Sequence, residues 1–181
     1  MQFVLNDSPE WETLYRSLGV LPSIAKVLVR RGISSPVSAE RFISSQVKDV
    51  SNPFLLPDIE PALSRIKMAS IDKEKICLYG DYDVDGLTSV AVVLHTMKGL
   101  GFDVSYYIPN RLSEGYGLNI NAIDRIKEGG FSLIITLDCG VSSVSAIDYA
   151  KSSGIDVIVV DHHNPPATLP PAIAIVDPKK E

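Results

Sequence analysis

The feature that most constrains the fold of this chain is an alternation of short apolar runs and helical stretches that begins at Lys75. The apolar runs are Ile76–Tyr79, Val104–Ile108, Leu133–Leu137, Ile155–Val160 and Ile173–Val176. The helical windows between them are Leu87–Leu100, Asn119–Lys127 and Val144–Ser152. Strands that are apolar throughout and separated by helices are typical of a parallel sheet covered on both faces. The sequence therefore predicts an α/β domain with a doubly wound, mostly parallel five-stranded sheet.

The first 70 residues have a different pattern, that of short helices. Three helix starts are indicated by Ser8-Pro9, Leu21-Pro22 and Ser35-Pro36, each followed by apolar residues at helical spacing. A fourth helix is predicted through Ile59, Leu63 and Ile66. We therefore predict two domains, a helical N-terminal segment at residues 1–70 and the α/β domain at residues 71–181.

The composition excludes several classes of protein. With 181 residues, 45% hydrophobic and 22% charged, the chain has the balance of a folded globular protein and not that of a disordered or fibrous one. No apolar run approaches the roughly 20 residues of a membrane-spanning helix, and Met1–Asn6 lacks the features of a secretory signal. We expect a cytoplasmic protein without a membrane partner. Cys77 and Cys139 lie within apolar runs and have no C-x-x-C spacing, so we expect buried, reduced thiols.

The net charge of −5 argues against a basic surface of the kind that binds nucleic acid nonspecifically. Acids gathered in one site would nevertheless become neutral or positive once they bind divalent cations. The placement of the carboxylates therefore matters more than their number.

Acids and histidines cluster directly after three of the predicted strands. The segment 80–86 reads Gly-Asp-Tyr-Asp-Val-Asp-Gly after the first strand, Asp138-Cys139-Gly140 follows the third, and Asp161-His162-His163 follows the fourth. Ligands of an open parallel sheet bind outside the carboxyl ends of its strands. We therefore expect all three clusters at one edge of the sheet.

The spacing within these clusters favours a site for a divalent cation. If the backbone stays extended after the first strand, the carboxylates of Asp81, Asp83 and Asp85 point to one side. Carboxylates held so close together either raise their pKa values or bind a cation. Adding Asp138 and His162 makes a set of mostly oxygen donors with one imidazole, which suits Mn²⁺ or Mg²⁺ better than a structural zinc site.

Two structural alternatives compete with this interpretation. An EF-hand loop also begins Asp-x-Asp-x-Asp-Gly, but its twelfth position requires a glutamate, and here that position is Val92. The residues before Asp81 also predict a strand instead of a helix, so the EF-hand fails twice. The other alternative, that these acids only cap helices and turns, stays open.

Other residues near this edge are open to two interpretations each. Arg111 and Tyr116 follow the second strand, where the arginine could pair with a phosphate and the tyrosine could stack on a base. The sequence is equally consistent with an arginine in a salt bridge and a tyrosine packed in the fold. The backbone amides of 140–143 lead into a helix and could receive a phosphate, or the serines there could act only as helix caps. Asp161 is a candidate to fix the ring of a ligating histidine.

The three clusters resemble, in order, the first three motifs of the DHH phosphoesterase superfamily. Four further stretches are similar to its RecJ branch of single-stranded-DNA-specific exonucleases, namely Asn52–Leu56, Ile108–Arg111, Glu114–Leu118 and Val176–Lys179. The resemblance implies an enzyme that uses one or two Mn²⁺ or Mg²⁺ ions to degrade single-stranded DNA from its 5′ end in repair and recombination.

The resemblance also assigns roles to individual residues. It implies that Asp83, Asp85, Asp138 and His162 are metal ligands, while Asp81 and His163 lie close to the metals and orient water or the scissile phosphate. It further implies that the chain is an N-terminal portion with a fourth metal motif downstream, for which Asp177 should not be mistaken. We therefore expect weak metal binding and little activity from this segment, and repair-protein partners through other regions.

Three rival functions remain open at this point. The chain could be another DHH-type phosphoesterase that acts on oligonucleotides, cyclic dinucleotides or pyrophosphate. It could be a scaffold module that keeps the fold without the chemistry, although the intact set of donors argues against this. A receiver-like signalling domain also gathers aspartates at this edge of a parallel sheet, but it does not need Asp161-His162-His163.

Overall fold

A computed structural model of the protein describes residues 8–180, which form two compact units divided between Ser51 and Asn52. No helix within residues 8–180 has the length and apolar character needed to cross a membrane.

From residue 8 onward, the first unit contains three short helices and one 3₁₀ turn. The helices are α1 (Glu10–Leu18), α2 (Pro22–Arg30) and α3 (Pro36–Ile43), and the turn is Val47–Asp49. Leu14, Ala25, Leu28 and Ala39 are buried at its centre. α3 starts as predicted, with the Ser35 hydroxyl accepting a hydrogen bond from the Ser38 amide. The Ser8-Pro9 pair predicts Ser8 as the N-cap of α1, but this is wrong, because Pro9, which has no capping side chain, occupies the N-cap position.

The second unit confirms the predicted doubly wound parallel sheet. After a 3₁₀ turn at Pro53–Leu55 it contains α4 (Ile59–Ile71), β1 (Ile76–Gly80), α5 (Val84–Gly99), β2 (Val104–Tyr107), α6 (Ile120–Glu128), β3 (Leu133–Leu137), α7 (Val144–Ser152), β4 (Asp156–Val160) and β5 (Ala174–Val176). The strands pair in the order β2-β1-β3-β4-β5, and every pair is parallel.

Apolar layers cover both faces of the sheet. Side chains of α4 and α5 pack with Ile76, Leu78, Leu133 and Ile135 on one face. Side chains of α6 and α7 pack with Cys77, Tyr79, Ile134 and Val157 on the other. Every residue of β1 and β3 is buried, which explains why these strands are apolar throughout. Cys77 and Cys139 are buried and unpaired, as predicted.

Helix α4 belongs to the sheet unit, although the sequence placed it within residues 1–70. Its Ala62 and Ala69 are part of the core beneath the sheet, and the Arg65 guanidinium bonds to Asp156 on β4. Of the apolar residues that predicted this helix, Ile59 and Ile66 pack against the core, whereas Leu63 is 46% exposed. The compact units divide between residues 51 and 52, whereas the predicted domains divide between residues 70 and 71.

The strand order determines where a ligand can bind. The direction of winding reverses between β1 and β3, and open α/β sheets hold their ligands at such a switch point, beyond the carboxyl ends of the strands. The segments that follow β1 and β3 are those that carry the predicted acids.

Candidate metal centre

Four aspartates form a row at the carboxyl edge of the sheet. Gly80 pairs with Leu137, Leu137 with Val160, and Val160 with Val176, so these four strands end at one level. The next residue in each is an aspartate, and all four are buried: Asp81, Asp138, Asp161 and Asp177. Parallel register thus brings together residues that are far apart in the chain.

Asp81, Asp83 and Asp138 form the first group of potential metal ligands. One carboxylate oxygen from each lies within 4.8 Å of the others. Asp83 is positioned as the N-cap of α5, where its Oδ1 accepts a 3.0 Å hydrogen bond from the Gly86 amide. Asp138 adopts a left-handed backbone conformation with φ of 62°, which turns the chain directly after β3.

The electrostatics of this group fit a bound cation. The hydrogen bond from the Gly86 amide is the main cause that lowers the pKa of Asp83. Burial first, and then the negative charge of Asp83, raise the pKa of Asp138. Within the part of the chain that the structure describes, the buried Oδ1 of Asp81 has no hydrogen-bond partner. A divalent ion would supply that partner and remove the repulsion between the carboxylates.

Asp138 also belongs to a second group, with His162 and His163, whose ligand atoms again lie within 4.8 Å of one another. The His162 Nε2 is 3.0 Å from Asp138 Oδ1. The His163 Nδ1 is 2.7 Å from Asp161 Oδ1, which leaves Nε2 as the His163 nitrogen available to a cation or a substrate. The two groups share Asp138, so the five side chains form one continuous site.

Asp161 anchors the second group without being a member of it. Its carboxylate accepts hydrogen bonds from the amides of Val141, His162 and His163 at 3.0, 2.7 and 3.1 Å. Burial alone would raise the pKa of Asp161, but these bonds outweigh it and lower the pKa. Asp161 in turn raises the pKa of His163 through their hydrogen bond. The aspartate expected to fix a histidine ring thus fixes that of His163.

The backbone amides of residues 140–143, at the start of α7, are the predicted alternative site for a phosphate. The Val141 amide bonds to Asp161, and the Ser143 amide bonds to the Gly140 carbonyl, so neither is available to an anion. The Ser143 side chain makes no capping bond either.

Asp85 lies outside both groups among the described residues. An extended backbone through Asp85 was the condition for its carboxylate to point with those of Asp81 and Asp83, and this condition is not met because α5 begins at Val84. Asp85 is consequently an exposed residue in the first turn of that helix. Its role as a metal ligand stays a prediction.

The loop after β2 brings Arg111 and Tyr116 to the rim of this site. The Arg111 guanidinium carbon lies 5.3 Å from the centre of the Tyr82 ring. Tyr82 is the residue between Asp81 and Asp83 in the sequence. The Tyr116 ring meets His163 edge-on, with 6.2 Å between ring centres. Burial, together with nearby charges such as that of Asp161, raises the pKa of Tyr116 to about 12.

A cavity that no sequence pattern indicates lies beside the centre. Its volume is about 450 Å³, and it is lined on the α5 side by Thr88, Ser89, Val92 and Val93 and on the sheet side by Leu137, Asp138, Val160, Asp161 and His162. In sequence these α5 residues show only ordinary helical spacing, so nothing distinguishes them from core positions.

Comparisons with known proteins agree with this geometry. Residues 75–181 match the DHH family, N-terminal domain. A single-stranded-DNA-specific exonuclease RecJ of Bacillus subtilis is 45% identical over 174 residues, which cover 96% of this chain and 22% of the relative. The RecJ of Thermus thermophilus is 31% identical over 169 residues, covering 92% of this chain and 24% of the relative.

Solved structures give the same result. A crystal structure of exonuclease RecJ bound to manganese superposes with a TM-score of 0.66 at 34% identity, covering 71% of this chain and 33% of that one. A crystal structure of RecJ from Thermus thermophilus in complex with Mn²⁺ gives a TM-score of 0.63 at 27% identity, covering 97% and 24%. The chain thus spans about a quarter of the length of the curated relatives it matches.

Proposed function

Because this chain belongs to the DHH family, we propose that it forms the metal-binding part of a hydrolase that cleaves phosphodiester bonds of single-stranded DNA with Mn²⁺ or Mg²⁺. The observation that carries the proposal is the convergence of Asp81, Asp83 and Asp138, with a buried Asp81 oxygen that has no partner among the described residues. Degradation from the 5′ end, in repair and recombination, is part of the same proposal.

The donor set suits hard divalent cations. Asp81, Asp83 and Asp138 would hold one ion, and His162 would complete the coordination on the side of β4. Mn²⁺ or Mg²⁺ held by these residues would lower the pKa of a bound water and neutralise charge on the phosphate oxygens. Asp81, Asp83 and Asp138 would thus hold the cation in place, and no side chain would need to act as the nucleophile, because the bound water would do so.

The remaining residues would position the DNA strand. His163, held by Asp161 through Nδ1, presents a ring of fixed orientation that can hold a proton or a phosphate oxygen. Arg111 would pair with a phosphate of the strand, and Tyr116, 57% exposed, would stack on a base.

Substitution of a single oxygen donor tests the metal site. We expect Asp138→Asn to weaken Mn²⁺ binding by more than roughly 100-fold, because even the partners that only orient metal ligands are worth about 10–100-fold. Isothermal titration with Mn²⁺ measures this, and hydrolysis of an end-labelled oligothymidylate measures the activity. Asp148→Asn, at an exposed position on α7, is the matched control and should bind Mn²⁺ like the wild type.

The other outcomes decide between the competing functions. Wild-type Mn²⁺ affinity in Asp138→Asn would overturn the proposed centre. Hydrolysis of dinucleotides, cyclic dinucleotides or pyrophosphate, with long strands left intact, would assign the protein to another activity of the same superfamily. Asp85→Asn measured in parallel decides the predicted role of Asp85, since a ligand would show a loss similar to that of Asp138→Asn.

A further inference from the structure

The loop that carries Arg111 and Tyr116, residues 108–118, is held by side chains that do not touch the metal centre. The loop has no helix or strand, and two glycines in left-handed conformations, Gly115 and Gly117, flank Tyr116. A segment of this kind would be mobile without further contacts, because irregular backbone gains few hydrogen bonds of its own. Its partners therefore decide whether the two rim residues are held in place.

Glu114 closes the first half of the loop. Its Oε2 accepts a 2.8 Å hydrogen bond from the Asn110 amide, and its Oε1 accepts one of 2.5 Å from the Tyr107 hydroxyl at the end of β2. The Arg125 guanidinium on α6 donates to that hydroxyl at 2.9 Å and lies 3.5 Å from the Glu114 carboxylate. The Glu114 side chain is only 12% exposed, which shields these bonds from water. One carboxylate thus ties the loop to a strand and to a helix.

A second anchor holds the other half of the loop. The buried Tyr79 hydroxyl donates a 2.8 Å hydrogen bond to the Gly117 carbonyl. Tyr79 also stacks on Tyr107, with 5.6 Å between ring centres and 6° between ring planes. Tyr107 therefore links both anchors. Arg111 lies between Asn110 and Glu114 in the loop, and Tyr116 lies between Glu114 and Gly117.

We propose that Glu114 is a positioning residue that, through Tyr107 and Asn110, holds Arg111 and Tyr116 in a preformed arrangement at the rim of the metal centre for a single strand of DNA. This inference rests on the proposed function. Ordering the loop in advance removes part of the entropy that a strand would otherwise lose on binding. The Glu114 hydrogen bonds also lower the pKa of its carboxyl, so it is ionised and makes charge-assisted bonds at neutral pH.

Two substitutions test the inference in the Mn²⁺-loaded protein. Glu114→Gln keeps the size of the side chain but removes the charge, and Tyr107→Phe removes only the shared hydroxyl. We expect each to weaken the binding of a fluorescein-labelled oligothymidylate about tenfold by anisotropy, as the loss of a charge-assisted hydrogen bond implies. We expect faster amide hydrogen exchange in residues 110–117 and unchanged Mn²⁺ affinity. Glu60→Gln, exposed in the first turn of α4, is the control for the loss of a carboxylate.

An epistasis experiment separates positioning from general destabilisation. In a chain that already carries Arg111→Ala and Tyr116→Ala, Glu114→Gln should cause less than about a twofold further loss of DNA affinity, because its effect passes through those side chains. A tenfold loss in that background would overturn the inference, and so would wild-type DNA affinity in both single variants. If the unsubstituted protein does not bind the oligothymidylate at all, the proposed function fails and the inference fails with it.

Discussion

At the residue scale, the four aspartates at the sheet edge differ in what surrounds them. The carboxylate of Asp161 is saturated by backbone amides and the His163 ring, so it acts as an anchor. Asp81 has a buried oxygen without a partner among the described residues, and Asp138 lies beside the charge of Asp83, so these two are suited to a cation. Asp177 accepts a bond from the Lys179 amide and lies outside both ligand groups within residues 8–180. Its other carboxylate oxygen is buried without a partner among the described residues, as is that of Asp81, so position along the sheet edge as well as hydrogen bonding decides which aspartates can be ligands.

Gly86 is a residue on which the metal centre depends without supplying a ligand. A Cβ atom there would lie 2.3 Å from the Asp81 carbonyl oxygen and 2.6 Å from its nitrogen. We expect Gly86→Ala to destabilise the protein by about 3 kcal/mol, since overpacking against backbone cannot relax easily, and to weaken Mn²⁺ binding by displacing Asp81.

Gly99 at the end of the same helix is the matched control for Gly86. It has no atom within 4 Å of the added methyl position, so Gly99→Ala should be neutral or stabilising by up to about 1 kcal/mol. Urea denaturation of both variants measures the difference. Equal stabilities would show that α5 does not press on the end of β1.

At the element scale, α4 is attached to the amino edge of the sheet by one arginine. The Arg65 Nε bonds to Asp156 at 2.6 Å, and its two terminal nitrogens bond to the Glu74 carboxylate at 3.1 and 2.7 Å. Glu74 also accepts a hydrogen bond from the Ser132 hydroxyl. The arginine thus joins α4 to the segments before β1 and β3 and to the start of β4.

Removing this arginine should cost more stability than removing a surface arginine. We expect Arg65→Met to lower the free energy of unfolding by about 2–3 kcal/mol, because it leaves the part-buried Glu74 without its cation. Arg16→Met, which breaks an exposed pair with Glu12 on α1, should cost less than about 0.5 kcal/mol. Similar losses in the two variants would contradict the anchoring role of Arg65.

The pH dependence gives a second readout of the same contact. Arg65 lowers the pKa of Glu74 in the folded state. The stabilisation is therefore present above the unfolded pKa of about 4.3 and is lost as the pH falls through the lower folded value. Urea titrations between pH 2 and 7 should show this loss of unfolding free energy at acid pH in the wild type, and the loss should be smaller in Arg65→Met.

At the scale of the whole molecule, the sheet unit has its own core and contains every member of the candidate metal centre. Residues of both ligand groups come from the ends of three different strands, so they converge only when the sheet is formed. Metal binding and folding of this unit should consequently be coupled.

This coupling predicts opposite effects of one substitution with and without metal. The pKa of Asp138 is raised in the folded state, so ionisation of this carboxyl destabilises the fold. This destabilisation is absent below the unfolded pKa of about 4 and is fully present above the higher pKa of the folded state. Without metal at pH 7, Asp138→Asn should therefore raise the melting temperature by about 2–4 °C, and asparagine tolerates the left-handed backbone there.

With Mn²⁺ present, the wild type should have a higher melting temperature than Asp138→Asn. An ion at about 100 times its dissociation constant should raise the melting temperature of the wild type by about 5–10 °C and that of Asp138→Asn hardly at all. Differential scanning fluorimetry with and without EDTA measures both effects, and Asp148→Asn should behave like the wild type throughout. A lower metal-free melting temperature in Asp138→Asn would show that Asp138 stabilises the apo fold.

Much of the fold could be predicted from the sequence, because each prediction depended on local patterns. The strand Leu133–Leu137 and the helix Val144–Ser152 have the predicted bounds, and the bounds of α5, α6 and the other four strands lie within three residues of the predicted ones. The predicted α4 helix through Ile59 and Ile66 is present and extends to Ile71. The match to the DHH family confirms the resemblance that the motifs indicated. The helical pattern of α4, however, did not show which unit it joins, since that depends on contacts with distant residues, such as the core contacts of Ala62 and Ala69 and the bond from Arg65 to Asp156, 91 residues away.

By itself, then, the sequence determined the parallel sheet and the edge at which acids and histidines gather, since apolar runs and strand ends are properties of short segments. Only the tertiary structure decided which side chains meet. Asp85 lies outside the predicted group because the Asp83 side chain caps a helix that begins one residue before Asp85. Asp161 accepts hydrogen bonds from the amides of both histidines, but only the ring of His163 bonds to its carboxylate. Hydrogen-bond competition among groups brought together by folding is not encoded at any single position.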